Sequence, residues 1–450
     1  MTSFSSYPLE KLLIPQGFTC DCGKHHHCEL KIFLSGAGKI SQVPQVLSDL
    51  GWTYPYVVCD KNTYEAAGKK VEEILKKAGI DYCLHVIEKD KVEPDEWTVG
   101  DVVLHMDRAC DGVMAVGSGV INDVCKVVSF AAGKEQMVVA TAPSMDGYAS
   151  TSSSMHVNQV KVTVYNHCPV AILSDTNIVA KAPMRMLWAG FGDMIAKYIA
   201  LCEWRIAHLA TEEYYCEEVA QLMRRSVKRI TDNAGKLKDR DHEAIEAVME
   251  GLVLSGVAMS FAKVSRPASG LEHYFSHMWE MMADERHTHA DLHGIQVGIG
   301  TLLTLKLYDW MKTLTPDREM ALKKVAEFDG KQWEKEMERI FGSATPQILA
   351  LEKQVEKNDP KAHEKRLDRL VKGWGKVLGF MEEELPETEK IAALMKDIGM
   401  PMVPEDIGID EQDAKDAFTG SREIRDKYLS STMLWDLGLM EEGRERVRAK

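Results

Sequence analysis

Between about residues 30 and 180 the chain alternates short runs of β-branched and aliphatic residues with longer stretches whose apolar positions recur every three and four residues. The runs Leu30–Leu34, Tyr56–Cys59, Tyr82–Ile87, Val113–Val116 and Met137–Ala140 predict strands. Tyr64–Ala78 and Asn122–Ala132 predict helices between them. Such alternation builds a parallel, Rossmann-like sheet covered by helices, and such sheets bind ligands at the carboxyl ends of their strands. From residue 182 the β-rich runs vanish. Amphipathic stretches replace them at Trp188–Ala210, Tyr214–Asp232, Asp241–Lys263 and His293–Trp310, followed by a highly charged stretch, Lys331–Glu384. Prolines from Pro316 to Pro404 break the last third into separate helices. The pattern predicts an α/β nucleotide-binding domain over 1–181 and an all-α domain over 182–450.

Composition adds limits. A chain of 450 residues exceeds the size at which one core stops growing, which agrees with two domains. A formal charge of −14 argues against a nucleic-acid or anionic-membrane surface but leaves room for a local basic pocket holding a small anion. Met1–Gly17 lacks the basic and apolar pattern of a secretory leader, and no stretch is long enough to span a bilayer, so a cytoplasmic location is expected. The 10 cysteines, several inside apolar runs, are expected to be reduced.

Four segments carry chemistry. In Val113–Lys126 a strand runs into Gly117-Ser118-Gly119 and a helix, where backbone amides at a helix start can meet a pyrophosphate; tight packing alone is the other explanation for the glycines. Ala140–Ser154 follows the next strand and places Thr141, Ser144, Asp146 and Ser150 at the same sheet edge, suited to a cofactor or a polyol, or a plain surface loop. His273, His277, His287, His289 and His293 cluster within 21 residues, and the first two share a helical face, as metal-binding imidazoles do. Asp193, early in an apolar helix, is either a carboxylate facing a cation or a residue meeting the helix dipole. A fifth segment, Cys20–Cys28, gathers thiols and imidazoles like a small zinc site. It lacks a second half, and Cys-x-Cys is not the usual Cys-x-x-Cys spacing, so zinc is not expected there.

The order Gly-Ser-Gly-x-x-Asn-Asp, Thr-Ala-Pro-Ser-x-Asp-Gly, Gly-x-Gly-Asp-x-x-x-Lys, Glu-His-x-x-x-His and His-Gly-x-Gln-Val-Gly resembles the sn-glycerol-1-phosphate dehydrogenase family. That family lies within the iron-containing alcohol dehydrogenase, glycerol dehydrogenase and dehydroquinate synthase superfamily. The resemblance spans roughly Phe18 to Trp310, and Ile424–Gly438 is similar to the family's C-terminal end. It implies a dehydroquinate synthase-like fold and metal-assisted, reversible reduction of dihydroxyacetone phosphate to sn-glycerol 1-phosphate by NADH or NADPH, a step serving phospholipid synthesis. A glycerol or other polyol dehydrogenase, or a non-catalytic metal- and nucleotide-binding protein, are the alternatives. By motif, the metal ligands would be Asp193, His273 and His293. Lys197 stands where iron-type relatives carry a further histidine, which favours zinc, or nickel, over iron. The resemblance assigns Asp60, Gly117, Ser118, Gly119, Val120, Ile121, Asp123, Thr141, Ala142, Ser144 and Ser150 to the cofactor. It assigns Asp146, Asp193 and His277 to the substrate, with His277 and Asp146 catalytic. Lys161 and Lys197 are candidates for the substrate phosphate, each with an ordinary ion-paired lysine as its alternative. A homo-oligomer acting on a small molecule, without nucleic acid, is implied.

Overall fold

The computed structural model describes residues 3–157 and 160–450, without the side chains of Val160 and Lys161. The chain packs as two compact units, residues 1–194 with 217–265, and residues 195–216 with 266–450. The change from α/β to all-α secondary structure does fall near residue 182, but compactness does not follow a single cut there. The helices Glu217–Asn233 (α4) and His242–Ala262 (α5) belong with the sheet-bearing unit.

The first unit opens on a short hairpin, Phe18–Thr19 (β1) with His25–His26 (β2). A six-stranded sheet follows, made of Ile32–Gly36 (β3), Tyr56–Asp60 (β4), Cys83–Ile87 (β5), Gly112–Gly117 (β6), Glu135–Ala140 (β7) and Ala171–Asp175 (β10). Every pairing in it is parallel, in the order β3-β10-β7-β6-β4-β5. The five expected strands form within two residues of their predicted ends. β10 and Ser152–Val157 (β8) are not foreseen; the strand-like run Val157–Tyr165 forms Val160–Tyr165 (β9), the antiparallel partner of β8. All six residues of β6 are buried, because helices cover both faces of a parallel sheet. On one face Val57, Cys59, Met114, Val116, Met137, Val139 and Leu173 pack with Val46, Leu47, Val71 and Leu75 of the covering helices. Each fully buried aliphatic side chain there contributes about 1.5–3 kcal/mol.

After β4 the chain adds β5 on one side, then returns to build β6 and β7 on the other. The direction of winding therefore reverses between β4 and β6, which opens a crevice at their carboxyl ends. Asp60 and Gly117 lie at those ends, and the helix Gly119–Ala131 (α1) starts there.

The expected Trp188–Ala210 helix is two helices, Met184–Ile195 (α2) and Lys197–Thr211 (α3), divided at Ala196. Apolar periodicity continues across such a break and cannot reveal it. In the second unit, Leu271–Glu285 (α6) and His293–Met311 (α7) pack side by side. One helix of the described residues, His242–Ala262, is long and apolar enough to cross a membrane; 78% of its apolar window is buried within the fold, as in a core helix.

Candidate active site

In the first unit the Gly-Ser-Gly turn sits at the crevice. Thr141 N donates to the Gly117 carbonyl at 3.1 Å, tying the two carboxyl-end loops together. The glycines differ in what they need. A Cβ on Gly117 would lie 2.6 Å from Ile121 Cβ, so packing of the helix start onto the strand demands glycine. A Cβ on Gly119 would meet only Met145, at 3.5 Å, so the fold leaves space above that position. The Ser118 side chain does not cap α1, and the first-turn amides of Gly119, Val120 and Ile121 precede the first intrahelical bond, from Asn122 N to Ser118 O. Asp60 caps the next helical turn, accepting from Thr63 N at 2.7 Å. Asp123 accepts from Ser154 N at 3.0 Å.

The loop after β7 is pinned by Lys126, which the sequence reading left unassigned. Its side chain is fully buried, and Nζ donates to Gly147 O (2.7 Å), Ser150 Oγ (2.9 Å) and Ser152 O (3.0 Å), with Asp123 Oδ1 3.5 Å away. Tyr148 Oη donates to Ala142 O at 2.6 Å. Ser150 therefore works inside the loop, while Thr141 and Ser144 are buried at its start. Asp146 accepts from Ser255 of α5 at 2.9 Å, and its backbone amide donates to Asp193 Oδ2 at 3.1 Å. Asp193 is wholly buried on α2. Close approach of helix and loop explains the motif glycine Gly190: a Cβ there would sit 1.8 Å from Pro143 O. Gly256 is held to the same rule by Ala149. The Ser255-Gly256 pair within the apolar Leu252–Ala258 stretch of α5, and a lysine three residues after Asp123, were the available signals for Ser255 and Lys126.

In the second unit the histidines divide. His273 and His277 project from one face of α6 toward His293, the first residue of α7, with ring centroids 5.5 Å and 5.4 Å from that of His293. His287 and His289 are exposed in the connecting segment and stand outside the group. His273 Nδ1 pairs with Glu272 Oε1 at 2.9 Å; His293 Nδ1 pairs with Ser276 Oγ at 2.8 Å and Glu280 Oε1 at 3.1 Å. In each ring Nδ1 is held by these partners, which fix the orientation of the imidazole as outer groups do around metal-binding histidines. Burial, reinforced by the charge of Lys197, holds His273 well below the ordinary histidine range, so its ring is neutral. Burial also pushes the Glu272 carboxyl up to about 8. A neutral His273 imidazole beside carboxyl groups suits a divalent ion. His277 is partly exposed and pairs with Glu280 Oε2 at 3.4 Å.

Lys197 is fully buried and donates to Ala268 O at 2.8 Å. The C-terminal motif closes on the same segment: Lys427 Nζ reaches Ser269 O and Oγ at 2.7 Å, and burial lowers its pKa to about 7. Glu203 accepts from Ser430 N and Leu271 N, and Gly270 has no room for a Cβ beside it. Lys161 falls in β9, but its side chain lies outside the described residues.

The profile of the iron-containing alcohol dehydrogenases matches residues 34–183. Curated relatives named NAD(P)+-linked glycerol-1-phosphate dehydrogenase include those of Bacillus licheniformis (30% identical, covering 94% of this chain and 93% of the relative) and Pyrococcus furiosus (36%, 62% and 79%). Among solved structures, a probable glycerol dehydrogenase from Sinorhizobium meliloti shares the fold with a TM-score of 0.61 at 16% identity, over 94% of this chain and 98% of that one. Glycerol dehydrogenase from Schizosaccharomyces pombe does so with a TM-score of 0.60 at 13% identity, over 93% and 90%. With close to a third of positions identical over nearly the whole Bacillus licheniformis relative, and with its sequence motifs at the sheet edge and in the histidine group, the chain belongs to the NAD(P)-linked glycerol-1-phosphate dehydrogenase family of oxidoreductases.

Proposed function

We propose that this enzyme reduces dihydroxyacetone phosphate to sn-glycerol 1-phosphate with NADH or NADPH, reversibly, and that Asp193, His273 and His293 ligate one zinc-type divalent ion. The observation that supports the metal assignment is the approach of the His273 and His293 rings to 5.5 Å, with Nδ1 of both held by neighbouring side chains. Asp193, a buried carboxylate, supplies the negative charge that a divalent ion needs. Lys197, a cation bonded to a carbonyl, does not ligate, which supports three protein ligands and zinc or nickel over iron.

In this reading the amides of Gly119–Ile121 face the cofactor pyrophosphate, while Gly117, Ser118, Asp123, Thr141, Ala142, Ser144 and Ser150 shape its bed and Asp60 meets the ribose. Asp146, steadied by Ser255, orients the substrate. A divalent ion held by Asp193, His273 and His293 would supply Lewis acidity toward the ketone, and a bound NAD(P)H would supply the hydride. His277 delivers the proton to the oxygen, with its partial exposure providing the route by which it is reprotonated. The balance is one ketone, one NAD(P)H and one proton to one alcohol and one NAD(P)+.

The test is NADH and NADPH oxidation with dihydroxyacetone phosphate before and after chelation, with chiral analysis of the product. The expected result is chelator-sensitive turnover giving the sn-1 isomer. Formation of the sn-3 isomer, or full turnover in metal-free enzyme, overturns the proposal. Wild-type efficiency on free glycerol equal to that on glycerol 1-phosphate would replace it with a general polyol dehydrogenase.

A further inference from the structure

The Cys20–Cys28 segment has a definite structure that the spacing argument did not foresee. β1 and β2 pair only Phe18 with His26 and Thr19 with His25, and the turn between them holds Cys20-Asp21-Cys22-Gly23-Lys24. Gly23 takes φ +84, a left-handed conformation that a side chain would strain, and donates to Cys20 O at 3.1 Å. This tight turn brings donor atoms of Cys20, Cys22 and His26 within 4.8 Å of one another. Cys22 Sγ lies 3.3 Å from His26 Nε2. In a tetrahedral zinc site with Zn–S of about 2.3 Å and Zn–N of about 2.0 Å, the S···N edge is about 3.5 Å, so the observed spacing is close to that of two ligands of one ion.

His26 is prepared for this role. It is wholly buried, among Phe4 and Phe261 at ring distances of 5.2 Å and 5.6 Å. Its Nδ1 lies 2.8 Å from the Phe261 carbonyl. A carbonyl only accepts, so Nδ1 carries the proton and Nε2 presents its lone pair to the thiols. A hairpin of two residues per strand is too short to persist alone. It nevertheless holds the C-terminal end of α5: the Phe261 carbonyl takes His26, and the Ala262 carbonyl takes Lys24 Nζ at 2.8 Å. α5 is also the helix whose Ser255 holds Asp146.

We propose that Cys20, Cys22 and His26 bind a structural zinc ion that fastens the β1–β2 hairpin to the end of α5. Two thiolates and a neutral imidazole cancel the charge of the ion, as burial requires, and binding releases the two thiol protons. The site is separate in sequence and chemistry from the Asp193, His273 and His293 centre, which has no sulfur ligand.

The experiment uses the full-length chain purified under reducing conditions, with zinc measured by elemental analysis. His273→Ala disables the proposed catalytic ion, so zinc that remains reports on the hairpin. The expected content is about one zinc per chain in His273→Ala and close to none when Cys20→Ser and Cys22→Ser are added. Cobalt exchanged into His273→Ala should show a thiolate-to-cobalt charge-transfer band that is lost in the further Cys22→Ser variant. Cys20→Ser with Cys22→Ser alone should lower the melting temperature while leaving the metal of the proposed catalytic centre in place. If that double variant does not fold, the cobalt band and zinc content of His273→Ala with His26→Gln decide instead. Zinc absent from His273→Ala, a cobalt spectrum without thiolate character, or a Cys20–Cys22 disulfide under reducing conditions overturns the proposal.

Discussion

Replacing Lys126 by Met tests whether one buried charge holds the substrate and cofactor loop. The methionine keeps the apolar stem but removes three donors, to Gly147 O, Ser150 Oγ and Ser152 O, at 2.7–3.0 Å. Hydrogen bonds to a charged group contribute about 1.5–3 kcal/mol each, but burying the ammonium cancels much of that sum. What decides the outcome is the acceptors left behind. The Ser150 hydroxyl's single proton can serve Ser152 O, while Gly147 O keeps only the longer bonds from Ser150 N (3.3 Å) and Asn122 Nδ2 (3.4 Å), so its weakened pairing costs about 1 kcal/mol. Asp123 also loses its cation at 3.5 Å. A net loss of about 1–3 kcal/mol follows, equivalent to a fall in melting temperature of about 1–3 °C for a chain of 450 residues. If about 2 kcal/mol of it is the cost of re-ordering the 147–152 loop around a ligand, the Kd for NADH or NADPH rises about thirtyfold. Differential scanning calorimetry and fluorescence titration read the two quantities. A variant with unchanged melting temperature and unchanged cofactor affinity refutes the role of Lys126.

The two glycines of the turn should separate. Gly117→Ala, whose Cβ would press on Ile121, lowers the melting temperature, whereas Gly119→Ala leaves it unchanged but weakens cofactor binding at least tenfold by crowding the pyrophosphate; equal melting temperatures for the two variants contradict the packing argument. If Lys197 serves the substrate phosphate besides the Ala268 carbonyl, Lys197→Met raises KM for dihydroxyacetone phosphate strongly while leaving turnover of an unphosphorylated ketone nearly unchanged; equal losses on both substrates leave it a structural lysine. In metal-free enzyme, Glu272 is protonated in the fold up to about 8 and ionises near 4.5 once unfolded. The folded chain then holds a proton that the unfolded chain has released, so stability falls as pH rises from about 4.5 to about 8. Glu272→Gln removes that slope, and melting curves at several pH values that stay parallel to wild type contradict it.

The parallel sheet and the change to an all-helical chain were legible because fully buried strands are unbroken apolar runs and helices repeat their apolar positions, both local properties. The order of the motifs was legible for the same reason: each is a short run whose residue types suit one turn or one helix start. β10, Ala171–Asp175, is a five-residue strand like β3, β4 and β5, and its apolar run Val170–Leu173 was available in the sequence though it was not read as a strand. The division of α2 from α3 at Ala196 was lost because apolar periodicity runs through it. The fates of equivalent residue types were decided only by folding. Of the clustered histidines, His273, His277 and His293 converge because helix spacing and the start of α7 bring them together, while His287 and His289 remain in water. Lys126, unremarkable in a list of charges, becomes the anchor of a loop because the sheet leaves no solvent beside it. Cys20, Cys22 and His26 become a donor group because a left-handed glycine folds the turn and the Phe261 carbonyl fixes the imidazole. Composition and periodicity determine which face of an element is buried. Which polar groups meet inside depends on loop closure and on long-range packing, and no short window of sequence contains either.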